Sequence, residues 1–584
     1  MQKDQQLEKI RHSLAHIMAA AVYQMFPEAK FGIGPTIENG FYYDFELPRT
    51  LIPEDLEIIE NKIKEILKKD EKFVKKEITI AEAKKFFEEA DQKFKIELLQ
   101  DLKEKGEKRV SIYKSGDFVD LCKGPHVIST KEINPKAFKL TSIAGAYWKG
   151  NENNEMLQRI YGVAFENEKK LKEHLGYLNE VERRDHRKIG AAMDLFQISP
   201  EVGAGLPILH PRGAIIRGEI EKFWKEIHSA YGYQYVYTPH IGKLDLWKKS
   251  GHFDHYREMM YAPMKIDNVE YLLKPMNCPF HVQIYQNTLR SYKELPIKYA
   301  EIGTVYRYEK PGVLHGLLRV RMISQDDAHI FCRGDQLEEE IEEVMKLAFF
   351  MLKSFGFEEY EIELAVRDEA NKKNYIGEEE NWQKAEEALV TVLEKRKLKY
   401  SRGQGEAKFY GPSIDIKLKD ALGRAWQGPT IQVDFNFPEK FDLSYVDEYG
   451  KKQKPVMIHR TVLGAMERFM GNLIEHYAGH FPLWLAPEQA RILPVSDKFI
   501  KYGVKVGTEC QAKNVRSGID DSKESLGKKI RNAELMKVPY ILVVGEKEEK
   551  AETVAVRHGT RGDLGSMRTP DFLKKIEREI KEKK

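Results

Sequence analysis

A chain of 584 residues cannot close around one hydrophobic core, because single cores stop growing at roughly 250 to 300 residues. Length alone predicts roughly three or four domains, and shifts in element pattern predict where they divide. Residues 53–69 set Leu56, Ile59, Ile63, Ile66 and Leu67 at helical spacing among lysines and glutamates, a helix that covers a small domain. Residues 166–188 carry Leu171, Leu175 and Leu178 among many charges and read as a linking helix. From Gly190 to about Pro482, long amphipathic helices such as 337–355 mix with strand-like segments such as 425–437, which is α+β rather than regular βαβ. After Trp484-Leu485-Ala486-Pro487 the pattern becomes short apolar strands, 490–495 and 540–544, around a helix at 526–536, a small α/β domain. The lysine-rich end KKIEREIKEKK reads as a solvated helix end. The expected divisions are 1–165, a linker at 166–187, 188–483 and 484–584.

The 95 basic residues nearly cancel the 92 acidic ones, leaving a formal charge of +3. No global positive field announces a nucleic-acid partner, so any basic surface must be local. Four cysteines, at 122, 278, 332 and 510, make no disulfide framework and suit a reducing cytosol. The polar, helix-like start MQKDQQLEKIRHSLAH has no apolar signal core, and no apolar run is long enough to span a bilayer. The expectation is a cytoplasmic protein without a membrane partner.

Two groups of residues have the chemistry of metal ligands. His12 and His16, four apart, share one face of a helix; Cys122 and His126 follow far along the chain in Cys-Lys-Gly-Pro-His, with Asp120 two residues before. Together they fit either a zinc site or a metal-free acid/base pocket. The second group, Cys278 in KPMNCPFH, His329 in QDDAHIFC and His459 in PVMIHR, is dispersed, and spacing does not join its members. By spacing, Cys332, three residues after His329, is the nearer partner.

Read in order, Lys274-Pro-Met-Asn-Cys-Pro, Arg307-Tyr-Glu309, Arg319-Val-Arg321, Gln325-Asp-Asp-Ala-His329 and Gly464-Ala-Met-Glu-Arg468 closely resemble the bacterial threonyl-tRNA synthetases, and the likeness runs the length of the chain. Any one element, such as an Arg-x-Glu triplet, is nearly worthless; the ordered series is highly specific. The resemblance implies a class II antiparallel-sheet catalytic core, an N-terminal α+β editing domain and a C-terminal α/β anticodon-binding domain. It implies a ligase that joins L-threonine to threonine tRNA at the expense of ATP, with Mg2+ accompanying ATP. Arg307 is expected on the α-phosphate, Glu309 on the adenine amino group, and Arg319 and Arg468 on the γ-phosphate. Negative charge builds between already charged groups during this reaction, and guanidinium forks stabilise it better than mobile ammonium groups.

The resemblance also joins Cys278, His329 and His459 as ligands of one Zn2+, which leaves an open position for the amino nitrogen and hydroxyl of threonine, with Asp327 holding the amino group. Valine offers a methyl where the metal requires a donor and is rejected by roughly 10⁴-fold or more; serine lacks only a methyl group and needs a second sieve. His12, His16, Asp120, Cys122 and His126 match the family's seryl-tRNA editing site, which implies hydrolysis without metal. His252 in Ser-Gly-His-Phe matches the histidine that helps deprotonate the ribose hydroxyl. Gln325, Tyr410, Gln427, Thr430 and Gln432 match positions that contact threonine, adenylate or ribose. Glu548 and Arg557 match anticodon readers, where splayed bases are read at their edges, and Arg531 a phosphate contact. Residues 213–239 match the first class II motif, which implies a homodimer.

Three departures stand out. The small ubiquitin-like N-terminal domain usual in the family is absent from this sequence, Ser413 replaces a common lysine, and Lys523 replaces a common asparagine or serine. A serine or proline ligase is disfavoured by the zinc trio and the N-terminal elements. A non-catalytic, RNA-binding relative is disfavoured by Arg307, Arg468 and the trio, and a stand-alone editing hydrolase leaves some 400 residues without a role.

Overall fold

In a computed structural model describing residues 2–420 and 422–583, the chain forms two compact units that divide between Glu180 and Val181. The division falls inside the helix Glu168–Arg184, which spans most of the charged linker expected at 166–187; a second helix begins at His186.

The first unit is built on the helix Gln2–Met25. Leu14, Ala15, Ile17, Met18, Ala19, Ala21 and Val22 are all fully buried, so the helix is enclosed on every side over residues 13–22, while residues 4–12 are exposed or half-buried. It packs on an antiparallel sheet in which Lys30–Phe31, Gly40–Glu46, Met156–Ala164 and Phe138–Tyr147 lie in that order. The helix Pro53–Lys68 covers the same core with Ile59, Ile63, Ile66 and Leu67 buried, as its spacing predicts. A second sheet, Val74–Thr79, Arg109–Ser115 and Phe118–Leu121, delivers Asp120 and the 122–126 loop to the exposed end of the first helix.

The second unit has an eight-stranded sheet in the order Gln234–Tyr235, Ile297–Ala300, Ala328–Cys332, Val456–Thr461, Ala425–Asp434, Ser413–Lys419, Tyr360–Val366, Ser401–Gln404. Its interior pairs are antiparallel and only the two edge pairs are parallel. The helices Leu337–Ser354 and Glu379–Lys395 pack the apolar face of this sheet. Next to the Arg-x-Glu segment, Gly303–Tyr306 and Met322–Gln325 form their own antiparallel pair, and Arg307 stands just beyond its end.

The C-terminal module has the expected short strands, Ala490–Pro494 and Tyr540–Val544, paired in parallel, and its own core. It is nevertheless one compact unit with the catalytic region. Arg212 reaches Glu488 at 3.0 Å and Arg516 reaches Glu219 at 2.7 Å. At the chain end the helix Thr569–Lys581 buries Phe572, Leu573 and Ile576; of residues 574–583 only Ile576 is buried, and the Lys583 ammonium sits 4.0 Å from the Phe223 ring centre and 4.6 Å from that of Trp484.

Candidate functional site

In an antiparallel pair, directly opposed residues project from the same face. His329 lies opposite His459, and His459 opposite Gln432, which lies opposite Ser413. One cross-strand row therefore carries both histidines, although 130 positions separate them in sequence. Cys278 reaches them from the first position of the helix Cys278–Gln286. Its sulfur and the ligand nitrogens of His329 and His459 all lie within 4.8 Å of one another. A thiol and two imidazoles so spaced fit a tetrahedral zinc site with one position open, whose ligand atoms stand about 3.5 Å apart. Cys332 is not a partner. Three residues along a strand reverses the side-chain direction, and Cys332 is fully buried in the helix-side core.

The surrounding polar groups are tightly held. His329 Nδ1 is 2.7 Å from His281 Nδ1, and His281 Nε2 is 3.1 Å from Glu301 Oε1. His459 Nε2 is 2.9 Å from Asp434 Oδ2. Asp327, beside this trio, accepts from Asn277 Nδ2 at 2.7 Å; burial raises its carboxyl above the ordinary value. Tyr410 is buried against the His459 ring, and Gln432 donates to the Gly411 carbonyl. Asp415 gathers Gln427 at 3.0 Å and Thr430 at 2.7 Å.

The trio, Asp327, Tyr410, Asp415 and Gln432 line a cavity of about 460 Å³ whose far end is cationic. Arg307 donates to the Pro275 carbonyl and to Gln325 Oε1. Arg468, early in the helix Met466–Tyr477, donates to the Leu318 carbonyl at 3.0 Å. Burial, then Arg307 and Arg319, push the Arg468 guanidinium below its usual pKa, so Arg468 stands in the unfavourable field of the other two. Such an arrangement suits a polyphosphate, which would relieve the repulsion. The corner before that helix is fixed by Asp326, whose buried carboxylate accepts from the backbone N–H of Val462, Leu463 and Gly464 at 2.8–2.9 Å.

Three expected residues are not on the cavity wall. Arg319 and Glu309 pair with each other at 3.1 Å in the loop after Arg307. His252 is fully buried: Nδ1 is 2.8 Å from Ser250 Oγ, Nε2 is 3.8 Å from Cys278 Sγ, and burial pushes its ring down to about 3. An imidazole in that setting neither meets solvent nor titrates near neutrality, because the sequence around it forms a short helix folded under Trp247 and Phe409.

A second cavity, about 680 Å³, lies in the first unit and is lined by His12, His16, Asp120 and Cys122. Cys122 Sγ is 3.2 Å from both His12 Nε2 and His126 Nε2, and these three could hold a metal. Ser13 Oγ is 3.1 Å from His126 Nδ1. His16 is buried beside them with Phe73, Phe118 and His126 around its ring. Burial pushes the Cys122 thiol up to about 11, His126 down to about 2 and His16 down to about 3. Asp120 pairs with the buried Lys95 at 2.6 Å and accepts from the Tyr43 hydroxyl at 2.5 Å.

In the C-terminal module Glu548 and Arg557 are not together. Glu548 accepts from the Gly545 N–H at the start of the helix Glu546–Ala551, whereas Arg557 pairs with Glu534 opposite the other end of strand Tyr540–Val544. Arg531 and Lys523 are exposed.

His281, Asn277, Glu301, Asp415 and Asp434 were not singled out by sequence reasoning, nor were Lys95 and Tyr43. Two had a signal: His281 lies one helical turn after Cys278, and Asp434 lies two strand positions after Gln432, on the same face.

An eight-stranded, mainly antiparallel sheet flanked by helices, with an arginine-lined cavity beside it, is the architecture of a class II aminoacyl-tRNA synthetase core. Residues 262–477 match the class II core domain of the glycyl, histidyl, prolyl, seryl and threonyl synthetases. Residues 489–579 match an anticodon binding domain, and residues 110–161 the second additional domain of threonyl and alanyl tRNA synthetases. The chain is 53% identical to a threonine–tRNA ligase of Dehalococcoides mccartyi over 577 residues, 99% of this chain and 97% of that one. It is 51% identical to one of Sulfurihydrogenibium sp., covering 99% and 89%, and 51% identical to one of Nitrosococcus oceani, covering 98% and 87%. Among solved structures, the RNA binding domain of a threonyl-tRNA synthetase from Cryptosporidium parvum superposes with a TM-score of 0.64 at 36% identity, covering 68% of this chain and 98% of that one. The chain belongs to the threonine–tRNA ligase family. No helix among its described residues is long and apolar enough to cross a membrane.

Proposed function

We propose that the cavity of the second unit activates L-threonine with ATP and transfers it to threonine tRNA, with Cys278, His329 and His459 holding one Zn2+. The observation that carries the reading is the in-register pair His329 and His459 beside Cys278 and Asp327, adjoining an arginine-lined pocket. Bound zinc would supply a Lewis-acid position for the amino nitrogen and hydroxyl of the amino acid. Asp327 accepts from the ammonium-derived amino group. Tyr410 and Gln432 border the side-chain end, and Gln325, Gln427 and Thr430 border the carboxylate and ribose.

In the first step a threonine carboxylate oxygen forms a bond to the α-phosphorus while the bond to pyrophosphate breaks. Arg307 stabilises the charge at the α-phosphate, and Arg468 that on the departing pyrophosphate. Mg2+ enters with ATP on its phosphate oxygens. Arg319 joins Arg468 on the γ-phosphate and Glu309 takes the adenine amino group once their mutual ion pair opens. In the second step a ribose hydroxyl oxygen attacks the threonyl carbonyl carbon and AMP leaves. His252, the position that the resemblance gives for taking the hydroxyl proton, lies buried behind the cavity wall.

Residues 1–165, which lie within the first unit, hydrolyse seryl-tRNA. Protonated Cys122, neutral His126 and His12, and the Lys95–Asp120–Tyr43 network support a cavity that positions water without metal. Residues 484–584 read the anticodon, with Glu548 and Arg557 as the candidate contacts. Two chains pair through the segment after the helix Pro211–Ala230. That helix buries Ile216, Ile220, Phe223 and Trp224 in its own core, but Tyr237 beyond it is 85% exposed, and Ile241, Met264 and Ile266 are exposed on the next sheet.

The test is ATP–pyrophosphate exchange by the purified chain with threonine, valine and serine, with and without a zinc chelator. Exchange with threonine, weak exchange with serine, none with valine, and loss on chelation is the expected result. No exchange with any amino acid overturns the reading.

A further inference from the structure

A histidine ligand must present a bare nitrogen to a metal, and the hydrogen bond at its other nitrogen decides which one is bare. For His459 that partner is Asp434 Oδ2, 2.9 Å from Nε2. The other oxygen, Asp434 Oδ1, is pinned by the backbone N–H groups of Asn436 at 2.6 Å and Phe437 at 3.0 Å. An ionised carboxylate only accepts, so Nε2 carries the proton and Nδ1 is bare.

For His329 the arrangement has two stages. Its Nδ1 faces the Nδ1 of His281 at 2.7 Å, and two ring nitrogens bond only when one carries a proton and the other does not. His281 Nε2 faces Glu301 Oε1 at 3.1 Å. Glu301 is itself held by the Thr238 hydroxyl at 2.7 Å and the Thr238 N–H at 3.2 Å. His281 Nε2–H therefore donates to Glu301 Oε1, His329 Nδ1–H donates to His281 Nδ1, and His329 is left with a bare Nε2. His281 and Glu301 are both buried, so water does not substitute for either.

We propose that His281, backed by Glu301, and Asp434 are positioning residues that set opposite tautomers at the two histidines, so that the metal meets His329 through Nε2 and His459 through Nδ1. The inference rests on the zinc reading of the Cys278, His329 and His459 trio. It makes His281 as necessary to metal affinity as an outer carboxylate, although it has no bond to the metal. The helix Cys278–Gln286 then contributes twice, a ligand at Cys278 and the tautomer-setting ring one turn later.

The experiment measures the zinc dissociation constant of the full chain by competition with a chromophoric chelator. His281→Phe keeps a ring but offers no acceptor to His329, and is expected to bind zinc roughly 10 to 100 times more weakly. His281→Gln, whose carbonyl oxygen can accept the same proton, is expected to stay close to wild type. Asp434→Asn keeps its pinned oxygen on the backbone N–H groups and turns an amide N–H toward His459, so it should weaken binding as His281→Phe does. A folded His281→Phe that binds zinc like wild type, or a Gln variant as weak as the Phe variant, overturns the proposal. A crystal structure of zinc-loaded wild type gives a second measurement independent of variant folding: coordination through His329 Nδ1 or His459 Nε2 overturns it. Wild-type protein that binds no zinc overturns the zinc reading and this proposal together, whereas wild-type binding with indifferent variants overturns this proposal alone.

Discussion

Lowering the pH should loosen the N-terminal helix through His16. The ring is 3% exposed, its Nε2 has no hydrogen-bond partner, and Phe73, Phe118 and His126 surround it. Burial above all, then His12 and Lys95, hold its pKa at about 3 against the usual 6.5. Unfolding restores the ordinary value, so between those limits the unfolded chain binds a proton that the folded chain does not, and stability falls as pH falls. At pH 7.5 both states are neutral and the contribution vanishes. At pH 5 the unfolded ring is almost fully charged and the folded ring is not, a cost of about 2 kcal/mol or roughly thirtyfold in the opening equilibrium. His126, held at about 2, adds a similar amount. The perturbation is His16→Phe, which keeps an aromatic ring and removes the titration. The assay is native-state hydrogen exchange of peptides from residues 13–25 at pH 5 and 7.5, corrected for intrinsic rates, with a chelator present. Wild type should lose roughly thirtyfold more protection than His16→Phe on going to pH 5. Equal losses in the two proteins would refute the reasoning, because a ring that charges freely in the folded state costs nothing on acidification.

Arg468→Ala should lower threonine-dependent pyrophosphate exchange by roughly 10² to 10³-fold, with Arg468→Lys in between. Zinc content should be unchanged, and the melting temperature should hold or rise because a cation leaves the field of Arg307 and Arg319. Cys332→Ala should cost about 1 kcal/mol in denaturant unfolding and leave zinc content untouched; loss of zinc would return Cys332 to the ligand set. Cys122→Ala should slow hydrolysis of seryl-tRNA while leaving threonine-dependent exchange intact. A chelator should not slow that hydrolysis in wild type, and slowing would mark the His12, Cys122 and His126 trio as a metal centre.

The amphipathic stretches were legible because their periodicity is local: Pro53–Lys68, Leu337–Ser354 and the strand Tyr540–Val544 lie where spacing puts them. At the chain end the sequence hid the contact of Lys583 with the Phe223 and Trp484 rings, because a lysine stem can lie along an aromatic surface. At the metal trio, spacing favoured Cys332 over Cys278. Only strand register puts His329 opposite His459, and only the pleat turns Cys332 away from both.

By itself the sequence determined which residue types were available: arginine forks for phosphate, a thiol and imidazoles for a metal, helices and strands with one apolar side each. The order of its motifs determined the family. The tertiary structure alone decided which of these groups meet, because cross-strand pairing joins positions more than a hundred residues apart. It also decided how they are poised, since burial displaces the histidine and cysteine pKa values and enclosed carboxylates choose their tautomers. Local spacing carries no information on either, because burial and opposition are properties of the assembled core.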